Sequence, residues 1–320
     1  MVQPVRRSDI GKAEWNDYVH QHPAGWLWHR WEWLDYCLAY AGGTDHSFGL
    51  MSQDGKCVGL VPLVQEGDQF LMQRNPTVNK ILSDGMQPFT GYIAKRIQTV
   101  ASIAGVRHAE RMHWLTAPPI NHATERVDAQ TLNALNMEDR SFRRRVVDLR
   151  ELNLSQVRKS YRQFINKGNK KYVLNSHLNE KEACALFLDL HKNFYGHPRH
   201  ERTYEIQQEL CQRGIARVFL AMNDMGLCEG GCLWYCYKDM AYYASGVYPQ
   251  DNVAQYLVWE SMQMLAREGE AHHYADLGYQ GRATTEKEKN IEFFKRGFGG
   301  TDWPVPCVRT TFMDHLEGQS

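Results

Sequence analysis

Eleven basic residues fall between Arg140 and Lys171, opposed there only by Asp148 and Glu151. That segment carries +9, and the rest of a chain with no net charge therefore carries −9. Such segregation is the electrostatic footprint of a surface for phosphates, a nucleic acid or an anionic lipid. A solvated helix face at a domain junction is the competing account. Within the segment Arg158 and Arg162 stand four apart, on one face of a predicted helix, with Lys159 beside them. Guanidinium forks suit bidentate phosphate contacts, so Arg158 and Arg162 lead as substrate-binding candidates, with Lys159 and Lys167 in support.

Lys295 ends a short predicted helix opened by a Thr285/Glu288 capping box. A fixed ammonium there could stabilise an oxyanion or a leaving oxygen, or hold a phosphate. It could equally be a surface lysine complementing a helix C-terminus. Asp276 precedes a glycine at the end of a short strand, a place for a site or simply for a turn. Tyr242, Tyr243 and Tyr248 flank a central strand, where a ring serves either packing or a donor cleft. No Gly-x-Ser-x-Gly elbow, dinucleotide-binding glycine fingerprint or Walker loop occurs. Cys228, Cys232 and Cys236 recur every four residues, unlike zinc knuckles, and adjacent His272 and His273 point to opposite faces of a strand, so no metal site is expected. His191 is expected to pack on its own helix.

Composition bounds the rest. With 43% hydrophobic and 23% charged residues the chain is globular rather than disordered. No apolar run approaches the roughly 18 residues of a membrane span, and no apolar leader follows the N-terminus. The eight cysteines are scattered, which suits a reduced, cytoplasmic protein.

Two stretches match at an offset of 171 residues: Phe48/Phe219, Met51/Met222, Gly55/Gly226, Cys57/Cys228 and Gly59/Gly230. Each reads as a strand, a tight turn and a second strand, so the chain is expected to contain two copies of one fold. In the second half the spacing predicts a helix from Asn153 or Ser155 through Ile165, stopped by Gly168, with Val157, Tyr161, Phe164 and Ile165 inward. A helix over Glu180–Phe194 follows, then strands over Arg217–Met222, Gly231–Tyr237 and Ala241–Val247. Next come a helix over Asn252–Glu268, a strand over His272–Leu277, the capped helix, and a last strand over Val305–Met313. That order is a mixed α/β (α+β) sheet with flanking helices, not a Rossmann succession.

Particular residues in this order resemble the duplicated GNAT acyltransferase fold, and more closely the FemABX family of peptidoglycan bridge-forming aminoacyltransferases. The likeness is carried by His22–Trp28 with Glu32-Trp33-Leu34, by Gly59–Leu63, by Gln87–Tyr92 and by Arg158–Gly168. It is most specific in Asp276-Leu277-Gly278 followed by Ile291–Gly300. The resemblance implies two tandem GNAT-like domains, 1–148 completed by a returning strand in 305–320, and 149–304. It implies an acyltransferase that moves an aminoacyl or acyl group to a primary amine of a cell-envelope precursor. Lys295 is then the catalytic candidate, and Arg158, Lys159, Arg162, Lys167, Phe89, Tyr92, Tyr243, Tyr248 and Asp276 are substrate-binding candidates. No tightly bound cofactor is implied; the donor is aminoacyl-tRNA or acyl-CoA. The implied partners are a nucleotide- or lipid-linked amine acceptor, tRNA, and the inner membrane surface as a peripheral contact, with no DNA. Acetyl-CoA-dependent GNAT domains cradle pyrophosphate in a glycine-rich loop after the central strand. Here Tyr248–Ala254 has no glycine and carries Asp251, which argues against ordinary CoA binding in the second domain. An acyl-CoA-dependent acyltransferase acting on an amino sugar or amino acid is the alternative enzyme, and a catalytically silent RNA- or partner-binding module the alternative class.

Overall fold

The computed structural model describes residues 2–23, 25–70, 82–83, 86–112, 137–139, 142–175, 178–196, 199–250, 252–268, 272–280, 283–305 and 307–311. For 82–83, 86–94, 108–112, 137–139, 279–280 and 307–311 the description is of backbone alone. The chain divides into two compact units, Met1–Ser141 with Val305–Ser320, and Phe142–Pro304. No described helix is long and apolar enough to cross a membrane.

The first unit runs β1 (Val2–Arg6), α1 (Arg7–Ile10), α2 (Lys12–Gln21), α3 (Trp31–Ala41), β2 (Thr44–Asp45), β3 (Phe48–Ser52), β4 (Cys57–Val61), β5 (Val64–Gln65), β6 (Gln69–Phe70), β7 (Leu82–Ser83), α4 (Met86–Ala104), β8 (His108–Met112) and β9 (Met137–Asp139). One sheet has the order β1-β3-β4-β7. In another, the last strand among the described residues, β17 (Cys307–Thr311), returns to pair between β8 and β9. The Trp-rich opening is core: Trp15, Trp26, Trp28 and Trp33 are buried, and the Trp28 and Trp33 rings lie 4.4 Å apart. Phe89 and Tyr92 fall in the first turns of α4, and their side chains lie outside the described residues.

The second unit comprises β10 (Phe142–Asp148), α5 (Lys159–Lys171), β11 (Val173–Leu174), α6 (Glu180–Tyr195), α7 (Glu201–Gln212), β12 (Ala216–Met222), β13 (Cys228–Tyr237), β14 (Met240–Val247), α8 (Val253–Arg267), β15 (Tyr274–Gln280), α9 (Glu286–Arg296) and β16 (Thr301–Val305). Its seven strands form one sheet in the order β11-β12-β13-β14-β15-β10-β16. Phe219, Ala221, Cys232, Trp234, Ala275 and Leu277 share one apolar cluster with Tyr161 and Ile165 of α5 and Tyr256 and Leu257 of α8. Strand alternation sends Leu220 to the opposite face, where it and Phe187 of α6 flank Gly231. Helices therefore cover both faces of the sheet.

Several predicted boundaries need correction. A short 3₁₀ turn, Leu154–Gln156, precedes α5, which starts only at Lys159, so Arg158 is its N-cap. Gly168 lies inside the helix; a Cβ there would come 2.5 Å from Tyr256, so this glycine serves close packing of α5 on α8. Val157, Tyr161, Phe164 and Ile165 do face the core. Helix α7 went unpredicted because two of its inward positions are polar: Thr203 and Gln207 are buried, and Gln207 Nε2 donates to the Tyr235 hydroxyl at 3.1 Å. The strand expected over Val305–Met313 is present as Cys307–Thr311, and a further strand that the spacing does not predict, Thr301–Val305, precedes it in a different sheet.

The 171-residue offset is a structural repeat. Met51 pairs with Cys57 and Leu50 with Gly59, with a register shift between them; Met222 pairs with Cys228 and Ala221 with Gly230, with the same shift. Gly55 and Gly226 turn at φ of 77° and 74°. Cys57 Sγ lies 3.5 Å from the Gly59 carbonyl oxygen, and Cys228 Sγ 3.5 Å from that of Gly230. The two hairpins are the same object, bulge included.

Candidate active site

The parallel pair at the centre of the second unit's sheet is incomplete. β14 and β15 pair at Met240–Tyr274, Ala241–Ala275 and Tyr242–Asp276, and there the ladder ends. Both strands continue, β14 to Val247 and β15 to Gln280. Past Tyr242 and Asp276 their facing edges have no ladder between them, which is where a sheet can admit a ligand. On its other side β15 pairs with β10, Arg144 opposite Tyr279 and Val146 opposite Asp276, so β15 carries one extra residue. That bulge holds Gly278 at φ 90°, a conformation side chains resist.

Four side chains converge at this point. The Asp276 carboxylate is 1% exposed; Oδ1 accepts from the Gly278 N–H at 2.7 Å and Oδ2 lies 2.6 Å from Arg144 Nη2. The Arg144 guanidinium sits over the Tyr242 ring, 5.2 Å from its centroid. A Cβ built on Gly278 would stand 2.8 Å from Lys295 Nζ and 3.8 Å from the Tyr242 ring. The missing side chain of Gly278 is the space into which Lys295 reaches.

Lys295 is delivered by the last turn of α9. Thr285 and Glu288 fix the start of that helix through the expected capping box. Its end is held by α5: the Arg158 N–H donates to the Gly297 carbonyl at 2.8 Å, and Phe294 and Phe298 pack on the Tyr161 ring. Lys295 itself is half-buried. Among the described residues its amine has no hydrogen-bond or ion-pair partner. Burial pushes the ammonium down to about 8, with Arg144 adding to the fall and Asp276 opposing it. Burial lifts Asp276 above the usual carboxylate range, against the pull of Arg144, the Gly278 N–H and Lys295. Tyr242 is pushed up to about 12 by burial, so its phenol keeps its proton. The result is an amine with no hydrogen-bond partner among the described residues, pushed well below the ordinary lysine range beside a buried ion pair.

Of the sequence candidates, the structure brings together Lys295 and Asp276. Tyr243 and Tyr248 are placed differently: their hydroxyls meet each other at 2.5 Å, and Tyr243 packs edge-on to Trp234 in the core on the other face. Arg158 and Arg162 do not form a free pair of forks. Arg162 donates to the carbonyls of Val157 at 2.7 Å and Ser155 at 2.5 Å; Arg158 donates to the Phe293 carbonyl at 3.0 Å and the Tyr161 hydroxyl at 3.1 Å. Arg162→Ala is expected to destabilise the fold by about 1–3 kcal/mol, read from a melting curve, because two carbonyls lose a charged donor. Lys159 and Lys167 are exposed. His191 packs among Phe187, Tyr195 and Tyr204, and burial holds it down to about 4. Among the described residues no group of three His, Cys, Asp or Glu is placed to hold a metal ion.

Arg144 was missed although its position is legible. It alternates with Phe142 and Val146, both buried, so period 2 turns it inward while Arg143 faces solvent. Gly278→Ala tests the geometry. A side chain at that φ should cost about 1–3 kcal/mol of stability and displace the Lys295 amine, measurable as a lower melting temperature with a disproportionate loss of turnover.

No family model matches the chain, and no curated protein matches it. Solved structures do. The chain shares 13% identity with FemX over 97% of each chain, at a TM-score of 0.64. It shares 14% with the C-terminal domain of a putative lysylphosphatidylglycerol synthetase from Agrobacterium fabrum, over 92% of this chain and 90% of that one, at 0.57. It shares 12% with a tandem GNAT protein from the clavulanic acid biosynthesis pathway, over 98% and 99%, at 0.52. The repeat, the parted central strands and these likenesses define a tandem GNAT-fold protein. Its fold is that of FemX.

Proposed function

We propose that the protein is an acyltransferase that passes an aminoacyl or acyl group to a primary amine by direct aminolysis. The observation that carries this reading is the Lys295 amine, without a partner among the described residues and set where β14 and β15 part. The acceptor nitrogen attacks the donor carbonyl carbon, forming the C–N bond and an oxyanion. The oxyanion collapses, the C–O or C–S bond of the donor breaks, and a proton from the amine ends on the leaving oxygen or sulfur. No side-chain nucleophile is needed. The protein's part is to align the reactants and to place a positive charge on the oxyanion or leaving atom. Lys295 supplies that charge, and the Asp276–Arg144 pair fixes the bulge that admits it.

The resemblance of Arg158–Gly168 and Ile291–Gly300 to the FemABX family implies an aminoacyl ester of tRNA as donor, and the shared fold with FemX is in keeping with it. The same family resemblance implies an amine on a nucleotide- or lipid-linked envelope precursor as acceptor, with the reaction on the cytoplasmic side. The lack of a glycine between Tyr248 and Ala254 weighs against ordinary CoA binding in the second unit. The test is a donor screen of charged tRNAs against acyl-CoAs over a panel of amine acceptors. Amide formation from a charged tRNA is the expected result; amide formation from acyl-CoA alone would transfer the assignment to an ordinary N-acyltransferase.

A further inference from the structure

The two copies of the repeated hairpin share a turn but differ at the tip. In the first copy the outward tip residues are Asp54 and Lys56, an exposed ion pair at 3.5 Å. In the second they are Met225 and Leu227, 74% and 56% exposed. The turn is satisfied by polar residues in the first copy, so the fold does not require Met and Leu in the second. Val173, also 56% exposed, stands nearby on the sheet's edge strand β11, paired with Met222.

This apolar tip is tied to the basic helix. Glu229 accepts from Lys171 Nζ at 2.7 Å, from the Tyr172 hydroxyl at 2.9 Å and from Asn223 Nδ2 at 2.9 Å, which pins the tip to the end of α5. Helix α5 carries five basic residues and no acid. Lys159, Lys167 and Lys170 are exposed, and among the described residues none of the three forms an ion pair. Asp224 is the tip's own acid.

We propose that this edge of the second unit docks on an anionic membrane surface, with Met225 and Leu227 entering the interfacial layer and the α5 lysines meeting headgroup phosphates. Aliphatic prongs beside lysines suit lipid. A single-stranded nucleic acid would call for rings on which bases stack, and residues 223–227 at the tip contain none. The inference stands on the hairpin and α5 and does not depend on acyl transfer.

The test is co-sedimentation of the full chain with phosphatidylcholine vesicles, with and without phosphatidylglycerol, at low and high salt. The informative variant is M225D/L227K, which installs the first hairpin's residues and leaves net charge unchanged. Wild type should bind the phosphatidylglycerol vesicles in a salt-dependent way and ignore pure phosphatidylcholine. M225D/L227K should bind at least about tenfold more weakly with an unchanged melting curve. K167Q/K170Q should also lose about tenfold or more and flatten the salt dependence. Equal binding by wild type and M225D/L227K would overturn the proposal. So would binding of single-stranded RNA through Lys167 and Lys170 without binding of the vesicles.

Discussion

Lys295→Ala should lower turnover by roughly 10²–10³-fold while leaving substrate affinity nearly intact, the signature of a charge that works only in the transition state. A lysine that gripped a ground-state phosphate would instead raise KM and spare kcat. The stability effect has the opposite sign from that of an ordinary helix-end lysine. Burial places the folded-state ammonium near 8, below its ordinary value of 10.5. Below pH 8 the fold therefore bears the full cost of keeping a charged amine partly out of water. That cost fades as pH rises from about 8 towards 10.5, where both states hold the neutral amine. Lys295→Met should accordingly melt higher than wild type at pH 7, whereas loss of a helix-dipole lysine would cost about 0.3–1 kcal/mol. The ammonium is the working form, so kcat should fall above pH 8. Lys295→Arg should move that fall out of the measurable range.

The second large effect is expected at the buried ion pair. Arg144→Ala leaves the Asp276 carboxylate, 1% exposed, without its guanidinium. Stranding a buried charge in this way costs about 3–5 kcal/mol. The loss should depend on pH in a defined direction. Asp276 already sits above the usual carboxylate range, and removing Arg144 raises it further. A group whose folded-state value is raised stabilises at low pH and loses that contribution as pH rises through it. The variant should thus recover stability on acidification from pH 8 to pH 5 relative to wild type. Arg144→Met with Asp276→Leu removes both charges and should regain most of the stability without regaining turnover. If Arg144→Ala melts like wild type at pH 8, the pair does not hold the bulge.

Much of this was legible in residues whose chemistry is local. The Thr285/Glu288 box fixed the start of α9, and five matched positions at an offset of 171 predicted a repeat that extends to the bulge. Lys295 and Asp276 were legible as candidates, but their meeting was not. It depends on an extra residue in β15, and bulges leave no periodic trace. Tyr242 and Tyr243 are adjacent in sequence and face opposite ways, and only the register shows that Tyr242 is the one beside Asp276. The surroundings of the arginines were not legible either. Charge counts describe composition, while Arg158 and Arg162 turn their guanidiniums back onto carbonyls of their own unit. Phe89 and Tyr92 have their side chains outside the described residues.

Direct aminolysis at Lys295 is tested most sharply by following one turnover with a radiolabelled aminoacyl-tRNA and an amine acceptor, while recording the intact mass of the protein. The expected outcome is transfer of label to the acceptor as an amide, no mass added to the protein at any time, and transfer slowed roughly 10²–10³-fold in Lys295→Ala. Label accumulating on the protein, or Lys295→Ala transferring at the wild-type rate, would contradict it.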